Sequence, residues 1–376
     1  MPSSEIRIVD TLAGVQDARD AWKTLWHATE GATTFQHPDY AAAVLTTMTG
    51  DVAPAILLAF ADGKLQAVWP LQIVRSRGVR HVLHLHNGSR EEYADPLFAA
   101  DADDGVVARM FSAAKRLGDV LELYNLASEG RIWAHLPSDR PSLRALRSDM
   151  ACLTVQFATA GSWEAWLAGK SKSFRQGLRY DRKRLSAKGT LAFVAPTSAD
   201  TRAEQIRWTM ANKYRWVLDH DIAGSWLAEA SATAFFETLV TSEDGIGATF
   251  GLRLDDTLIA SCLCLIGKRD LEFFLTTYDE AWAAYSPGNL LVEEVVRWCF
   301  ERRLNFDMRF PVMDYKRRWS DHARTCHGYL LATTLRGTPF LWAKHAARMR
   351  SGLKRRAKAV VTHLRARRKG AGQGSA

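Results

Sequence analysis

The sequence predicts an α/β (α+β) fold of two tandem units, each a mixed, mainly antiparallel sheet flanked by helices, followed by a C-terminal basic amphipathic helix. The length of 376 residues suits two domains, and 47% hydrophobic with 24% charged residues is typical of a chain that forms a core. A strand, an acidic turn and a second strand occur twice, around Asp62-Gly63 and around Asp255-Asp256. The two copies lie about half the chain apart, which indicates duplication of one structural unit.

The first unit is predicted over residues 1–150. Apolar periodicity predicts helices near 17–28, 38–47 and 105–117. Short apolar or alternating runs predict strands at 55–60, 66–71, 81–85 and 120–123. Two prolines, Pro137 and Pro141, interrupt any regular element, so we expect the boundary between the units near residues 138–155.

The second unit is predicted over residues 151–335. Its predicted helices lie near 173–187, 203–218, 230–241 and 289–302. Its predicted strands lie at 248–253, 259–263, 271–275 and 304–310. The last strand alternates, so it should place Asn305, Asp307 and Arg309 on one face.

The turn before the helix at 289–302 is the first candidate site. Pro287 and Gly288 interrupt the chain just before an apolar-periodic run, which predicts a helix start. The first N–H groups of a helix lack internal partners and carry the positive end of its dipole, so they can hold a phosphate. The alternative is an ordinary loop-to-helix turn. The candidate pyrophosphate-binding residues are Ser286, Pro287, Gly288, Asn289 and Leu290.

The positive charge is concentrated at the C-terminal end. Of the 50 Lys and Arg residues 13 follow Asp321, and none of the 41 Asp and Glu residues does, so the chain up to Asp321 is slightly acidic. This distribution argues against a broad nucleic-acid-binding surface and for one local anionic contact. A basic amphipathic helix is predicted over 336–369, with the densely cationic face opposite the apolar residues, and residues 370–376 should be disordered.

Residues 339–369 of that helix suit the interface of an anionic membrane. The alternatives are docking on the protein body, an RNA-binding arm and disorder. The sequence contains no apolar run long enough to cross a bilayer, its N-terminus lacks the apolar core of a secretory signal, and its five cysteines are odd in number and not in metal spacing. We therefore expect a cytoplasmic protein, peripheral at the inner face of the membrane, with no metal.

Several motifs resemble one family. Tyr278-Asp279, the run from Ser286 to Leu290, Asp307 and Tyr315-Lys316 resemble the C-terminal half of the CelD/BcsL family, whose members are acyltransferases of the GNAT superfamily related to the FemAB-type aminoacyltransferases. The arginine-rich run from Ser173 to Leu185 resembles the helix that opens the family's second domain. In the first unit the resemblance is carried by Phe35-Gln36-His37-Pro38, Asp62-Gly63-Lys64-Leu65, Pro70-Leu71 and Tyr93-Ala94-Asp95-Pro96.

The resemblance implies two GNAT-like units, the first one degenerate, and acyl transfer from acetyl-CoA or another acyl-CoA. The predicted catalytic residues follow from that chemistry. Attack on a thioester requires a donor for the carbonyl oxygen and a proton for the thiolate. Tyr315 could be the acid, Asp307 could orient or deprotonate the acceptor, and Lys316 could bind a phosphate or stabilise the oxyanion. Asp314 is the fourth catalytic candidate, and the alternative for this group is a salt-bridged strand end packed against the other unit.

The predicted substrate-binding residues are Arg175, Arg179, Trp216 and Arg309. Arg175 and Arg179 are four residues apart, so they share a helix face that could recognise an anionic substrate or the CoA phosphates. Trp216 belongs to an aromatic group that could stack on a sugar or a base, and a core position is the alternative. Arg309 stands with Pro311 where the family usually has glycines, so it could fill donor space or supply a cation.

The sequence therefore predicts an N- or O-acyltransferase acting on a sugar, a polysaccharide precursor or an amine, in exopolysaccharide or cell-envelope biosynthesis. The expected partners are a small-molecule or glycan acceptor and an anionic membrane surface. One alternative is a FemAB-like aminoacyltransferase that uses aminoacyl-tRNA, in which case the basic segment would contact tRNA. The other alternative is a non-catalytic scaffold of the same fold, which the presence of Arg309 and Pro311 would favour.

Overall fold

Two sheets with helices on their faces form the described part of the chain, so the mixed α/β class predicted from the sequence is confirmed. The computed structural model describes residues 4–86, 93–136, 144–157, 160–220, 227 and 230–350. The strands within those residues are β1 (Ser4–Val9), β2 (Val52–Pro54), β3 (Ile56–Ala61), β4 (Lys64–Trp69), β5 (Leu71–Ser76), β6 (Val79–His84), β7 (Leu97–Phe98), β8 (Val120–Ala127), β9 (Ala145–Val155), β10 (Leu191–Val194), β11 (Gly247–Leu254), β12 (Thr257–Ile266), β13 (Asp270–Tyr278), β14 (Asn305–Asp307) and β15 (His322–Ala332).

The helices begin where the sequence offers caps. Side-chain oxygens of Thr11, Asp103, Ser171 and Ser198 accept backbone N–H groups in the first turns of the helices that follow them. The helices are α1 (Leu12–Ala28), α2 (Pro38–Thr47), α3 (Asp104–Leu117), α4 (Trp163–Ala168), α5 (Lys172–Ser186), α6 (Ala199–Asp219), α7 (Ala230–Thr241), α8 (Pro287–Arg302), α9 (Asp314–Trp319) and α10 (338–350).

The repeated strand, turn and strand form two antiparallel hairpins, as predicted. Strand β3 pairs with β4, and β11 pairs with β12. Each turn places its aspartate in the left-handed region, with φ of 49° at Asp62 and 51° at Asp255. Aspartate tolerates this conformation better than most residues do, because its short side chain bonds nearby backbone groups. In each unit a parallel crossover follows, β6–α3–β8 in the first and β13–α8–β14 in the second. The fold is therefore two tandem GNAT-like units.

One large sheet runs through both halves. Its strand order is β10-β11-β12-β13-β14-β9-β15-β8-β6-β5-β2, and a smaller sheet has the order β1-β3-β4-β7. The connection is made by β9, which pairs with β14 on one side and β15 on the other, while β15 also pairs with β8 of the first half. Strand β9 runs across residue 150, and the division into 1–150 and 151–335 stays a prediction.

Helices cover the two faces of the second half of the sheet with different apolar sets. On one face Leu263 and Leu265 of β12 belong to a core cluster that also contains Ile206 and Met210 of α6. On the other face the core cluster joins alternate β12 residues to α5 and α8. Because side chains alternate along a strand, α6 lies on the face opposite α5 and α8.

The strand predicted over 304–310 is shorter in the structure, where β14 contains only Asn305–Asp307. The prediction of a strand beyond Asp307 was wrong for a local reason. Arg309 has a left-handed φ of 53°, which an extended strand cannot accommodate. Pro311 follows and offers no N–H to a neighbouring strand.

The predicted basic helix is present as α10 in the part that the structure describes. It contacts the body at its start, where Leu341 is fully buried in a cluster with Val120 and Leu330. Further along, Trp342 is 52% exposed and Met349 is 71% exposed. The predicted segments 351–369 and 370–376 lie outside the described residues. No helix among the described residues combines the length and the apolar character needed to cross a membrane.

Candidate functional site

Two parallel strands separate next to the start of α8. Strands β13 and β14 pair only from Asp270 opposite Asn305 to Glu272 opposite Asp307. Strand β13 then continues to Tyr278, whereas β14 ends at Asp307. The continuing half of β13 therefore has no parallel partner in β14, and the strand leads into the segment before α8.

The first turn of α8 offers fewer backbone donors than its sequence suggested. Ser286 precedes it with a left-handed φ of 53°. The amides of Asn289 and Leu290 donate to the Ser286 carbonyl at 3.0 and 3.3 Å, and Pro287 has no N–H. Gly288 is left as the amide that can donate outward. A Cβ added at Gly288 would lie 3.3 Å from the Tyr278 ring, so the end of β13 packs directly against this turn.

The side chain of Asn289 holds a neighbouring aromatic core. Its Oδ1 accepts the indole N–H of Trp319 at 2.9 Å. Trp319 is fully buried, and its ring meets Phe174 of α5 edge to face and stacks on Trp166 of α4. Leu290 is buried in the same cluster. The five residues from Ser286 to Leu290 therefore anchor α8, and their predicted role in binding a pyrophosphate stays a prediction.

Asp307 lies at the junction between the two halves and is 1% exposed. Tyr93 donates its hydroxyl to Asp307 Oδ2 at 2.5 Å, and Arg324 Nη2 donates to the same oxygen at 3.0 Å. The thiol of Cys152 and the amide of Arg309 donate to Oδ1 at 3.1 and 2.8 Å. Burial and the neighbouring Asp307 charge raise the pKa of Tyr93 well above its ordinary value, so it stays a donor.

Arg309 is also buried in this junction, at 1% exposure. Its guanidinium carbon lies 4.7 Å from the ring centre of Phe35 and 4.5 Å from that of Phe274, both within cation–π range. Beside it, Thr34 donates to Glu272 through its amide at 3.2 Å and through its hydroxyl. Burial raises the pKa of Glu272 to about 8, so this carboxyl keeps its proton at neutral pH.

The other three predicted catalytic residues begin α9. Asp314 is exposed and Tyr315 is half-buried, and Tyr315 packs against the core cluster of the second unit. Lys316 is buried and donates from Nζ to the Phe310 carbonyl at 3.0 Å. Lys316 thus fixes the segment that follows β14. The catalytic roles of Asp307, Asp314, Tyr315 and Lys316 stay predictions.

The arginines of α5 differ in their surroundings. Arg175 is half-buried and donates to the Lys170 carbonyl at 3.2 Å, whereas Arg179 is exposed and forms no ion pair with a described residue. Arg182 bridges Glu293 and Glu294 of α8 at 2.8 and 2.7 Å. Helix α5 therefore packs along α8 through Arg182.

Trp216 lies on α6, which covers the face of the sheet opposite α5 and α8. Its ring lies against His220 with centroids 4.6 Å apart and the ring planes tilted by 31°, and Lys213 Nζ lies 4.1 Å from its ring centre. These contacts belong to its own helix. The structure therefore does not bring Trp216 together with Arg175 and Arg179.

One group of potential metal ligands occurs among the described residues. Ligand atoms of His37, Asp39 and Asp244 lie within 4.8 Å of one another. Arg19 bonds both carboxylates, at 2.9 Å to Asp39 and 2.7 Å to Asp244, and Lys23 contacts Asp244 at 2.5 Å. Since these two cations already balance the carboxylates, the group is an ion-pair network between the halves.

The sequence-based site list missed the junction partners from the first unit. Tyr93, Phe35 and Thr34 meet Asp307, Arg309 and Glu272 across the interface. Two of them stand in motifs already noted for the family resemblance, in the runs beginning at Phe35 and at Tyr93. These shared motifs were the signal that could have marked Phe35 and Tyr93 as site residues. The sequence did not show which residues of the second half they contact.

Comparisons with known proteins support the fold. Residues 172–317 match a family described as an acetyltransferase (GNAT) domain. No curated protein matches the chain. Solved structures with a similar fold include FemX, at 8% identity, covering 86% of this chain and 96% of that one with a TM-score of 0.57. The C-terminal domain of a proposed lysylphosphatidylglycerol synthetase from Agrobacterium fabrum is 11% identical, with 89% of this chain and 96% of that one covered and a TM-score of 0.53. A conserved protein of unknown function from Bacteroides thetaiotaomicron is 12% identical, with 87% of this chain and 100% of that one covered and a TM-score of 0.54.

The acetyltransferase domain match spans α5 to α9, the elements that surround the separated strands and the α8 turn. The chain is therefore an acyltransferase that carries a GNAT-type domain over residues 172–317, which argues against the non-catalytic scaffold alternative. The likeness to the solved structures concerns the fold alone, because the identities are low.

Proposed function

We propose that the chain is an acyl-CoA-dependent N- or O-acyltransferase, with acetyl-CoA as its donor, that binds this donor where β13 and β14 separate. The observation that carries the proposal is the parallel pairing of these strands over only three residue pairs, next to the first turn of α8. A pantetheine arm can lie along the unpaired half of β13 and use its backbone groups. The pyrophosphate then lies at the positive end of α8.

The phosphates have two donors of different kinds in this proposal. The Gly288 amide supplies a hydrogen bond at the helix start, and the exposed Arg179 supplies a long-range cation from α5. Arg175 sits on the same helix face but already bonds the Lys170 carbonyl. Arg309 is enclosed by Phe35 and Phe274, so we assign it to shaping the inner end of the cleft rather than to contacting phosphates.

In the proposed reaction an acceptor nitrogen or oxygen attacks the thioester carbonyl carbon. A C–N or C–O bond forms, the C–S bond breaks, and the proton released by the acceptor ends on the departing thiolate. Tyr315 is our candidate to deliver that proton, because its phenol carries a hydroxyl group that can donate one. Asp307 already accepts four donors, which supports a role in holding the junction more than one in deprotonating the acceptor.

The acceptor and setting follow from the resemblance and the charge distribution. We place the chain in the CelD/BcsL type and propose a sugar, polysaccharide precursor or amine acceptor in cell-envelope biosynthesis. The exposed Trp342 and Met349 share a face of α10, seven residues apart, and the segment after Asp321 has no acidic residue. These features support peripheral binding of a cytoplasmic enzyme to the anionic inner face of a membrane.

Calorimetric titration of the full chain with CoA and acetyl-CoA tests the donor. Gly288→Ala should weaken binding about tenfold, because the added methyl group crowds Tyr278 and the path of a phosphate to the amide. Gly177→Ala on α5 is the matched control, since a Cβ there meets nothing within 4 Å. Folded protein that binds neither ligand at millimolar concentration would refute the proposal, and so would equal affinities for the two variants.

A second donor class, aminoacyl-tRNA, is favoured by one observation, the likeness to FemX over 86% of the chain. The basic α10 would then contact tRNA. Binding assays with charged and uncharged tRNA at rising salt decide between the donors, because a phosphate-dominated contact weakens steeply with salt. Saturable binding of aminoacyl-tRNA without CoA binding would replace acyl-CoA as the donor.

A further inference from the structure

A cavity separate from the α8 turn lies between the first half of α6 and the turn joining β11 to β12. Its volume is about 850 Å³, within the range of small-molecule sites. Trp208 forms one wall, and Pro196 and Leu258 add apolar surface. The cavity lies on the face of the sheet that α6 covers, opposite α5 and α8.

The floor of this cavity carries a hydrogen-bond acceptor. Gln205 lines it and is 7% exposed. Its Nε2 donates to Ser261 Oγ at 3.1 Å, and Thr209 donates to the same hydroxyl at 2.8 Å. Gln205 Oε1 takes no hydrogen bond from a described residue, so the amide of this largely buried side chain can accept one from a ligand that donates.

The charged groups at the rim have no partners among the residues that the structure describes. Glu204 stands four residues before Trp208 on α6, so its carboxylate and the indole share one face. Asp256 enters from the turn, and Arg253 enters from the end of β11. Two carboxylates against one guanidinium leave the rim net negative. A rim of this kind favours a cation held beside an aromatic ring.

We propose that this cavity binds a small hydroxylated ligand bearing a protonated amine, an amino sugar in chemical class. The ring lies against Trp208, the ammonium group is held by Glu204 and Asp256, and the hydroxyls donate to Gln205 Oε1 and accept from Arg253. The inference goes beyond the proposed function, because the cavity lies on the sheet face opposite α5 and α8 and apart from the α8 turn. Binding itself does not depend on the donor.

Calorimetry of the full chain at neutral pH, without CoA, tests the site with glucosamine and glucose, which differ only in an ammonium in place of a hydroxyl group. We expect glucosamine to bind about tenfold more tightly, the size of one charged hydrogen bond. Glu204→Gln should bring glucosamine down to the affinity of glucose. Trp208→Leu, which keeps an apolar side chain, should weaken the binding of both sugars.

Glu164→Gln on α4 is the control and should leave both affinities unchanged. Equal binding of the two sugars, no binding of either, or an unaltered Glu204→Gln protein would overturn the inference. Thermal melting of each variant confirms that it is folded. If the full chain binds glucosamine but not CoA, the result counts against the proposed donor alone. If it binds CoA but not glucosamine, the result counts against this cavity alone.

Discussion

Tyr93 donates its hydroxyl to Asp307 Oδ2 at 2.5 Å, and this bond joins two residues 214 positions apart. The first comes from a loop of the N-terminal half and the second from the end of β14. Arg324 of β15 contacts both, bonding Asp307 and lying 4.7 Å from the Tyr93 ring centre. Asp307, which the sequence predicted to orient or deprotonate the acceptor, therefore holds the two units together.

Removing this hydroxyl should destabilise the protein. Tyr93→Phe leaves Asp307 buried with one donor fewer, so we expect the free energy of unfolding to fall by about 1–3 kcal/mol. Urea unfolding measures the change. Tyr180→Phe is the control, because Tyr180 is 61% exposed and should tolerate the change. A Tyr93→Phe protein as stable as the control would mean that the bond contributes nothing to the junction.

The buried Glu272 should make stability depend on pH. Its folded pKa of about 8 exceeds its ordinary value of 4.5, so between these pH values the folded state holds the proton that the unfolded state has lost. Stability from this group is present below pH 4.5 and falls as pH rises toward 8. Glu272→Gln removes the titration, so its stability should fall less between pH 5 and pH 8.

Urea midpoints of both proteins across that interval give the comparison, and taking their difference removes the titration of other groups. Parallel curves would show that Glu272 does not keep its proton in the folded protein.

Turnover measurements should distinguish the roles of Tyr315 and Asp314 at the start of α9. If Tyr315 protonates the departing thiolate, Tyr315→Phe should lower kcat by about 10²-fold or more with little change in KM for the donor. Asp314→Asn, at the exposed neighbouring position, should lower it much less. Thiol release from the acyl donor, followed at several pH values, provides the rate. A Tyr315→Phe enzyme that retains full kcat would exclude the phenol as the acid.

Vesicle binding should follow the charge of α10. Replacing Lys344 and Arg350 by Gln should weaken binding to anionic vesicles by about 1 kcal/mol for each cation. Neither change touches Leu341, whose burial docks the helix, so the body should stay folded. Arg109→Gln with Arg116→Gln on α3 is a control of equal charge. Co-sedimentation in which both double variants bind equally would reject α10 as the membrane contact.

Local chemistry explains how far sequence reasoning reached. The acidic turns at Asp62 and Asp255 and the helix start at Pro287 depend on a few neighbouring residues, so the sequence pattern predicts them directly. The starts of α1 and α6 were predicted four to five residues too late, because the caps at Thr11 and Ser198 precede the apolar periodicity. The prediction of a strand over 304–310 was wrong because alternating polar and apolar residues do not reveal the left-handed backbone of Arg309.

The sequence by itself determined two similar α/β units, their hairpins and a basic C-terminal segment, because periodicity and turn residues fix local structure. Tertiary structure alone decided that β9 and β15 join the halves into one sheet and that α6 carries Trp216 to the face opposite α5. It also decided that Asp307 and Arg309 are enclosed by Tyr93 and Phe35. The physical reason is that a buried charge is stable only beside a partner, and that partner comes from a distant part of the chain.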